Sequence, residues 1–335
     1  MQLQQLVYFV AVAETRHFGR AAQQVHVAQP SLSQQIRTLE RELGADLFHR
    51  ARGNIALTDA GEALLPVARR MLADADNARV EVQEIAGLRR GRVRLGATPS
   101  LCAALVPRVL AAFHRRHPGI QLLIEEGGSR DLVSQLATGS LDLALVIVPL
   151  QRHDPALATT ELFNEDLVVV SPQRPGGKAG NEPAPMHITD LRERPLVMFR
   201  HGYDLREATL AACRAEGFEP GYAVEGGEMD TVISLVEAGL GTAVVPSTVA
   251  ARHNLPAAPF APPGLTRTVA LAHRRDVDLP RAARALRDGI TGYIVSEAGA
   301  GALAPGIRLA EAAQAAAGRA GGAGGIRRAR PGSSE

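Results

Sequence analysis

A chain of 335 residues with 46% hydrophobic content is long enough for two or three folding units, each burying its own core. The formal net charge of +2 excludes a strong global cationic field, so any nucleic-acid surface must be local. The two cysteines, Cys102 and Cys213, lie far apart and in no CxxC, which argues against a disulfide framework and for a reducing compartment.

Met1-Gln-Leu-Gln-Gln has no basic segment leading into an apolar core, so no signal peptide is expected. No apolar run approaches the ~20 residues of a membrane span, and the expected location is cytoplasmic, with no membrane partner. No HxxxH, Walker loop, GxSxG or post-strand GxGxxG is present, so neither an enzyme nor a metal or other cofactor is expected.

Residues 3–14 predict a helix with Leu3, Leu6, Val7 and Val10 on one face. Two close helices follow, over 19–25 and 29–42, and then a small β-hairpin between Leu47 and Leu57. Thr58 is placed to cap a long helix running to Ile85. In that helix Leu64, Ala68, Met71, Ala75, Ala78, Val82 and Ile85 recur at alternating steps of four and three. Such a heptad seam predicts a partner helix, most simply the same helix of a second chain; packing on the core of its own domain is the alternative, and three Ala in the seam favour dimerisation.

From Gly91 the pattern changes to β-α-β-α-β: strand 92–97, helix 100–115, strand 120–126, helix 129–138 and strand 143–148. Leu167–Ser171 predicts a further strand, and 172–185 a loop rich in Gly and Pro. A second alternation runs through strand 196–199, helix 204–216, strand 221–224, helix 229–239 and strand 242–246. The strand 267–273 and the helix from Pro280 have no sheet of their own, so they are assigned back to the first unit. The expectation is two α/β subdomains crossed twice by the chain. Residues 299–335, rich in Ala and Gly without aromatics, read as a disordered tail.

Arg20-Ala-Ala-Gln-Gln-Val-His-Val-Ala-Gln-Pro-Ser-Leu-Ser-Gln-Gln-Ile-Arg-Thr-Leu-Glu40 has the mechanics of a helix-turn-helix. Ala21 and Ala22 let two helices cross closely, and Val25 and Val27 bracket a tight turn. Leu32, Ile36 and Leu39 face inward on the second helix. Its outward face carries Pro30, Ser33, Gln34, Arg37 and Arg41, suited to base edges in a major groove. Gln29, Pro30 and Ser31 sit at its N-terminus, where free amides suit phosphate. Arg50 and Arg52 flank Gly53-Asn54, a turn from which Arg can enter a minor groove or hold phosphate. An ordinary structural helix pair with a solvated loop would also account for the pattern.

Residues 1–65 resemble the DNA-binding domain of LysR-type transcriptional regulators, in Phe9, Phe18, Arg20-Ala-Ala, Gln29-Pro30, Leu32-Ser33, Leu39-Glu40, Leu43-Gly44, Leu47-Phe48, Leu57-Thr58 and Gly61. The resemblance continues to about residue 297. It implies a winged helix-turn-helix over 1–58, a dimerising linker helix over 59–90 and an effector domain over 91–298 like a periplasmic binding protein. Subdomain I is then 91–165 with 266–298, and subdomain II is 166–265. The implied partners are a double-stranded DNA operator, a small-molecule effector and other copies of the chain, as a homodimer through the linker helix and a homotetramer. Family members often carry Ser or Thr where Gly19 and Ala28 stand, so the caps of the two helices are expected to be weak here.

Ligands of open α/β sheets bind beyond the carboxyl ends of strands, near helix N-termini. Thr98-Pro-Ser100 and Gly127-Gly-Ser129 occupy such positions, and their hydroxyls and amides suit a small anion. Ser100 and Ser129 can equally be plain helix caps. By resemblance, Phe199, Arg200, Tyr203 and Glu228 line the opposite wall, where Phe199 or Tyr203 could shield an anionic effector and Arg200 could neutralise it; a solvated loop charge is the other reading of Arg200. Two other readings stay open: a ligand-binding protein or enzyme of the binding-protein fold with an acquired DNA-binding head, and a peroxide sensor using Cys102 and Cys213.

Overall fold

The computed structural model describes residues 1–51, 54–85, 91–150, 155–173, 184–253 and 255–313. Within them the chain begins with three short helices, α1 (Leu3–Thr15), α2 (Phe18–Gln24) and α3 (Gln29–Leu43). A two-stranded antiparallel hairpin follows, β1 (Phe48–Ala51) and β2 (Asn54–Leu57). Leu6, Phe9 and Val12 of α1 close over Ala21, Ala22, Leu32, Ile36 and Leu39 to form the head's own core. Gly44 ends α3 at φ +72, a left-handed position that favours glycine.

The cap of α2 differs from expectation. His17 precedes the helix, and its Nδ1 accepts from the amides of Gly19 (3.1 Å) and Arg20 (3.2 Å). Gly19 therefore lies inside the helix, and an imidazole does the work expected of a hydroxyl. Ala28 is indeed the residue before α3 and offers its amides no side-chain acceptor.

The long helix α4 spans Asp59–Ile85 with Pro66 inside it. Its apolar seam is divided. Leu64 and Ala68 pack into the head, whereas Met71 is 37% and Val82 67% exposed. Beyond Met71 the helix is fastened to the part of the chain that follows it. Asp74 pairs with Arg274 (2.9 Å), and Asn77 accepts from Arg94 (3.1 Å). At Gly139 (φ +73) a Cβ would lie 2.8 Å from that of Ala73, so only glycine permits this approach.

The effector portion runs β3 (Arg92–Ala97), α5 (Pro99–Ala104), α6 (Val106–Arg116), β4 (Gln121–Glu126), α7 (Ser129–Ala137), β5 (Leu143–Val148) and β6 (Leu157–Val170). The helix expected over 100–115 is two, parted at Leu105. Pro107 in the first turn of α6 supplies no N–H, and it disfavours continuous helical geometry before it.

After a 3-10 turn at Ile188–Glu193 come β7 (Leu196–Met198), α8 (Asp204–Ala215), β8 (Tyr222–Glu225), α9 (Met229–Glu237), β9 (Ala243–Pro246), α10 (Ser247–His253) and β10 (Ala257–Pro259). The chain then returns through β11 (Thr266–Arg274), α11 (Arg281–Gly299) and β12 (Ile307–Leu309). Strand β3 lies parallel between β4 and β5, and β11 pairs antiparallel with both β5 and β6. Alternate residues of β11 serve two cores. Val269 and Leu271 face α5, α6 and α11, whereas Ala270 and Ala272 face α7.

Strand β6 carries the chain from one unit to the other. Its first part pairs with β11, and its last four residues pair with β9 and β10. The sequence pointed only to Leu167–Ser171, because Thr159, Thr160 and Glu161 are exposed and a bulge against β11 breaks the alternation upstream. The second unit has a separate core in which Val168, Val170, Val197, Phe199, Leu205, Val232 and Val245 are buried.

The disordered tail expected from 299 is corrected for its first part. Strand β12 pairs with β6, Arg308 binds Asp166 (3.0 Å), and Ala310 and Ala313 are buried. Ala- and Gly-rich composition concealed a short strand that needs only three paired residues. The rest of that expectation, 314–335, lies outside the described residues, as do most of the Gly- and Pro-rich loop at 172–185 and Arg52 at the wing.

Candidate functional site

Two places gather the singled-out residues. On the head, α3 buries Leu32, Ile36 and Leu39 and turns Gln29, Pro30, Ser31, Gln34 and Arg37 to the outside, with Ser33 half-buried among them. Ala28 supplies no side-chain acceptor, Pro30 has no N–H and the Leu32 amide donates to the Ala28 carbonyl (3.1 Å), which leaves Gln29 and Ser31 as the first-turn amides at this surface. The C-terminal end of the helix is held by Glu40, whose buried carboxylate accepts from the amide of Leu47 (3.0 Å). That bond ties the outward helix to the start of the hairpin. Arg20 is also at the surface, and its guanidinium donates to the Thr15 carbonyl (2.9 Å). Arg50 lies on β1 opposite Ile55.

The second place is the cleft where α5 and α7 of one unit meet α8, α9 and α10 of the other. Ser100 is buried, and its Oγ accepts from Arg267 (2.9 Å), with Thr98 Oγ1 3.5 Å away. Arg267 also donates twice to Glu165 Oε2 (2.9 and 2.7 Å). Glu165 Oε1 in turn accepts from the amide of Thr248 (3.2 Å) and from its hydroxyl. Arg267 and Glu165 are a fully enclosed ion pair, satisfied on both sides, spanning the two crossing strands and reaching α10.

Ser129 lines a cavity of about 540 Å³ with Arg130 and Asp204, but its own donors are taken. Its amide (3.3 Å) and hydroxyl (2.7 Å) both donate to Asp204 Oδ2, and its Oγ accepts from the Ile147 amide (3.0 Å). Asp204 opens α8, so the chain's own carboxylate occupies the α7 N-terminus. Burial pushes the Asp204 carboxyl up, and the two Ser129 bonds oppose that shift.

On the far wall Phe199 and Tyr203 stack with centroids 4.6 Å apart, Phe199 lying beneath. Arg200 is committed to Glu228 rather than free, and the bond holds its guanidinium charged. Glu126, at the end of β4, is raised by burial and then by the Glu228 and Asp230 carboxylates facing it. Two polar atoms here are buried without a hydrogen-bonding partner, the Tyr203 hydroxyl and Glu228 Oε2.

Of the expected residues, Ser129 lines one cavity with Asp204 and Glu228 lines another with Glu126 and Asp230, whereas Ser100 is enclosed with Arg267, Arg200 binds Glu228, and Phe199 and Tyr203 are buried in the core of the second unit. The sequence reading missed Glu126, Glu165, Asp204, Asp230, Thr248 and Arg267. Signals existed for two of them: Asp204 in the first turn of a helix, and Arg267 beside the apolar run Val269–Ala272.

Neither cysteine has the setting of a reactive thiol. Burial, with Glu126 adding to it, pushes the Cys102 thiol up to about 12, and burial pushes Cys213 up to about 11. Among the described residues no three His, Cys, Asp or Glu side chains are placed to hold a metal ion. No helix of the described residues is long and apolar enough to cross a membrane.

Two family models match. Residues 3–62 match the bacterial regulatory helix-turn-helix protein, lysR family, and residues 86–293 match the LysR substrate binding domain. A probable hydrogen peroxide-inducible genes activator from Streptomyces viridosporus is 34% identical over 299 residues, covering 86% of this chain and 94% of its own. Full-length OxyR from Pseudomonas aeruginosa superposes with a TM-score of 0.66 at 32% identity, covering 87% of this chain and 94% of that one. CbnR in complex with its target DNA gives 0.63 at 25% identity, covering 87% and 99%.

Proposed function

The chain belongs to the LysR family of DNA-binding transcription regulators, with a helix-turn-helix head and a substrate-binding domain; from that premise we propose that a small molecule held in the cleft controls how paired heads sit on an operator. The carrying observation is that Ser129 of one unit and Asp204 of the other are hydrogen-bonded across the cleft, so a ligand entering there must act on both units at once. Strand β6 and the return through β11 are the covalent crossings, and α4 is fixed to the first unit through Asp74 and Asn77. A change in the angle between the units therefore reaches the head through a helix that is already anchored. Such a ligand shifts the equilibrium only by its differential affinity for the two arrangements.

Recognition falls to Ser33, Gln34 and Arg37 on α3, with Gln29, Pro30 and Ser31 at its amide end and Arg20 beside them. Arg50 and Arg52 of the wing are proposed as groove or phosphate contacts. Pairing runs through the exposed part of the α4 seam, from Met71 to Val82, in a dimer from which a tetramer is built. CbnR, a relative of known structure, was captured with its target DNA. Regulation rather than catalysis is the reading the family supports.

Relatives bear names for peroxide induction. Thiol chemistry is not the mechanism proposed here, because the thiolate is the nucleophile and burial pushes both thiols up. The test is promoter output in a strain carrying Cys213→Ser, which leaves the cavity-lining Cys102 in place, against one carrying Tyr203→Phe. Loss of regulation in the tyrosine variant alone supports the cleft; loss in the cysteine variant alone contradicts it.

A further inference from the structure

After α11 the backbone returns to the hinge. Strand β6 has two edges, and consecutive amides point to opposite ones: Asp166 donates to the Gly306 carbonyl (2.8 Å), Leu167 to the Leu265 carbonyl (2.8 Å). Along the Leu265 edge lie β11 and then β10. Along the Gly306 edge lie β12, against Phe163–Glu165, and then β9, against Leu167–Val170. Strand β12 and the second unit's β9 therefore stand end to end on one edge, with the crossing between the units beneath them.

The segment is wedged into this place. Ser247, which opens α10, donates from Oγ to the Pro305 carbonyl (2.8 Å), and Arg308 grips both carboxylate oxygens of Asp166 (3.0 and 2.5 Å). At Gly306 (φ +81) a Cβ would lie 2.7 Å from Ser247 Oγ and 3.2 Å from the Asp166 Cβ, so only glycine lets the backbone pass between α10 and β6. The Ala310 amide then fastens the segment to the Leu162 carbonyl (3.1 Å). Leu303 and Ile307 share a cavity of about 70 Å³ with Leu101, Leu105, Phe163 and Ile294. The apolar seat is partly empty, and its lining forgoes contacts that a filled core would make. Arg308 is exposed, so its ion pair contributes little to stability and acts chiefly to fix the segment's register.

Helix α10 is the element of the second unit that this segment meets, and other parts of the first unit hold it too. The Thr248 amide donates to Glu165 of β6 (3.2 Å), and Arg252 donates to the Ala103 carbonyl at the end of α5 (3.0 Å). Since α10 follows directly on β9, a rotation of the second unit about the crossing moves Ser247 against Pro305 and Gly306. We propose that residues 301–309 form a strap across the hinge, which sets the resting angle between the two α/β units and must shift before that angle changes. Strands β6 and β11 are covalent crossings, whereas the strap is held by a few hydrogen bonds and a partly filled seat. It can therefore open without unfolding either core, as a switching element requires. The inference concerns the hinge and does not depend on which ligand enters the cleft.

The test is hydrogen exchange, read by mass spectrometry, on the full-length protein without ligand. The reporter is the peptide carrying Ser129, whose amide is bonded to Asp204 across the cleft and touches no part of the strap. Arg308→Asp sets two carboxylates against each other and should release the strap, as should Gly306→Val. Exchange at Ser129 should then quicken roughly tenfold, and about threefold in the milder Ser247→Ala, while strands β3, β5 and β7 keep wild-type protection. Adding Asp166→Arg to Arg308→Asp restores the pair with its charges exchanged and should return Ser129 to the wild-type rate. Faster exchange confined to 301–313 and β6, with Ser129 unchanged in Arg308→Asp and Ser247→Ala, overturns the proposal and leaves the segment as terminal packing. Should Gly306→Val lose protection throughout both cores, the other two single variants decide. Failure of the exchanged pair to slow Ser129 again also overturns the proposal.

Discussion

The carboxylate of Asp204 accepts from both the amide and the hydroxyl of Ser129, and these two bonds join the α/β units across the cleft. Two donors on one oxygen of a largely buried acid make the pair a latch. In a double-mutant cycle with Ser129→Ala and Asp204→Asn, the coupling should be about 1.5–3 kcal/mol, the range for hydrogen bonds to charged groups. Thermal melting of the four proteins measures it. Strict additivity would mean that the latch is not closed in solution.

The buried pair Glu165–Arg267 makes a different prediction. Removing one partner leaves the other charged and enclosed, so Glu165→Gln should destabilise by about 3–5 kcal/mol. Replacing both with apolar residues should recover much of that loss. Denaturation of both variants checks it, and an unchanged melt in Glu165→Gln contradicts the geometry.

The pH dependence of Glu126 has a defined sign. Its carboxyl is raised in the folded protein, so the folded state holds that proton more tightly than the unfolded chain does. Stability from this group is greatest below the ordinary carboxylate range and falls as pH rises through it. Glu126→Gln should therefore gain most over wild type near neutral pH and least in acid. Melts across a pH series report the difference, and a gain that grows on acidification contradicts the assignment.

The divided seam of α4 separates assembly from folding. Met71→Asp with Val82→Asp should give monomers with an intact head, since both residues face outward. Ala68→Asp should instead unfold the head, because Ala68 is fully buried there. Sedimentation velocity and circular dichroism tell the outcomes apart. A Met71 and Val82 variant that sediments like wild type would place the interface elsewhere.

Much of the fold was legible where one period ran long enough. The helices of the head, the strands at 92–97 and 143–148, and the return of 267–273 to the first unit all follow from alternation or helical spacing. What was hidden depended on partners distant in sequence. The first half of β6 takes its pairing from β11 and β12, and β12 takes its own from β6. At the site, Ser100 and Ser129 were visible as strand-to-helix junctions, but their partners were not. Arg267 lies 167 residues from Ser100, and Asp204 lies 75 from Ser129. The expectation of an anion site failed to include Asp204 for that reason: a local motif exposes amides, and only the tertiary fold reveals the acid that covers them.

The central claim is that α3 reads DNA, and sequencing of genomic fragments retained by the purified full-length protein tests it most directly. Wild type should enrich a small set of fragments sharing a dyad-like sequence, as a paired head requires. Arg37→Ala and Ser33→Ala should lose that enrichment, each base contact being worth about 1–3 kcal/mol of discrimination, while weak general DNA binding persists. Even recovery of fragments across the genome by wild type, or the same enriched set from both variants, would contradict the account.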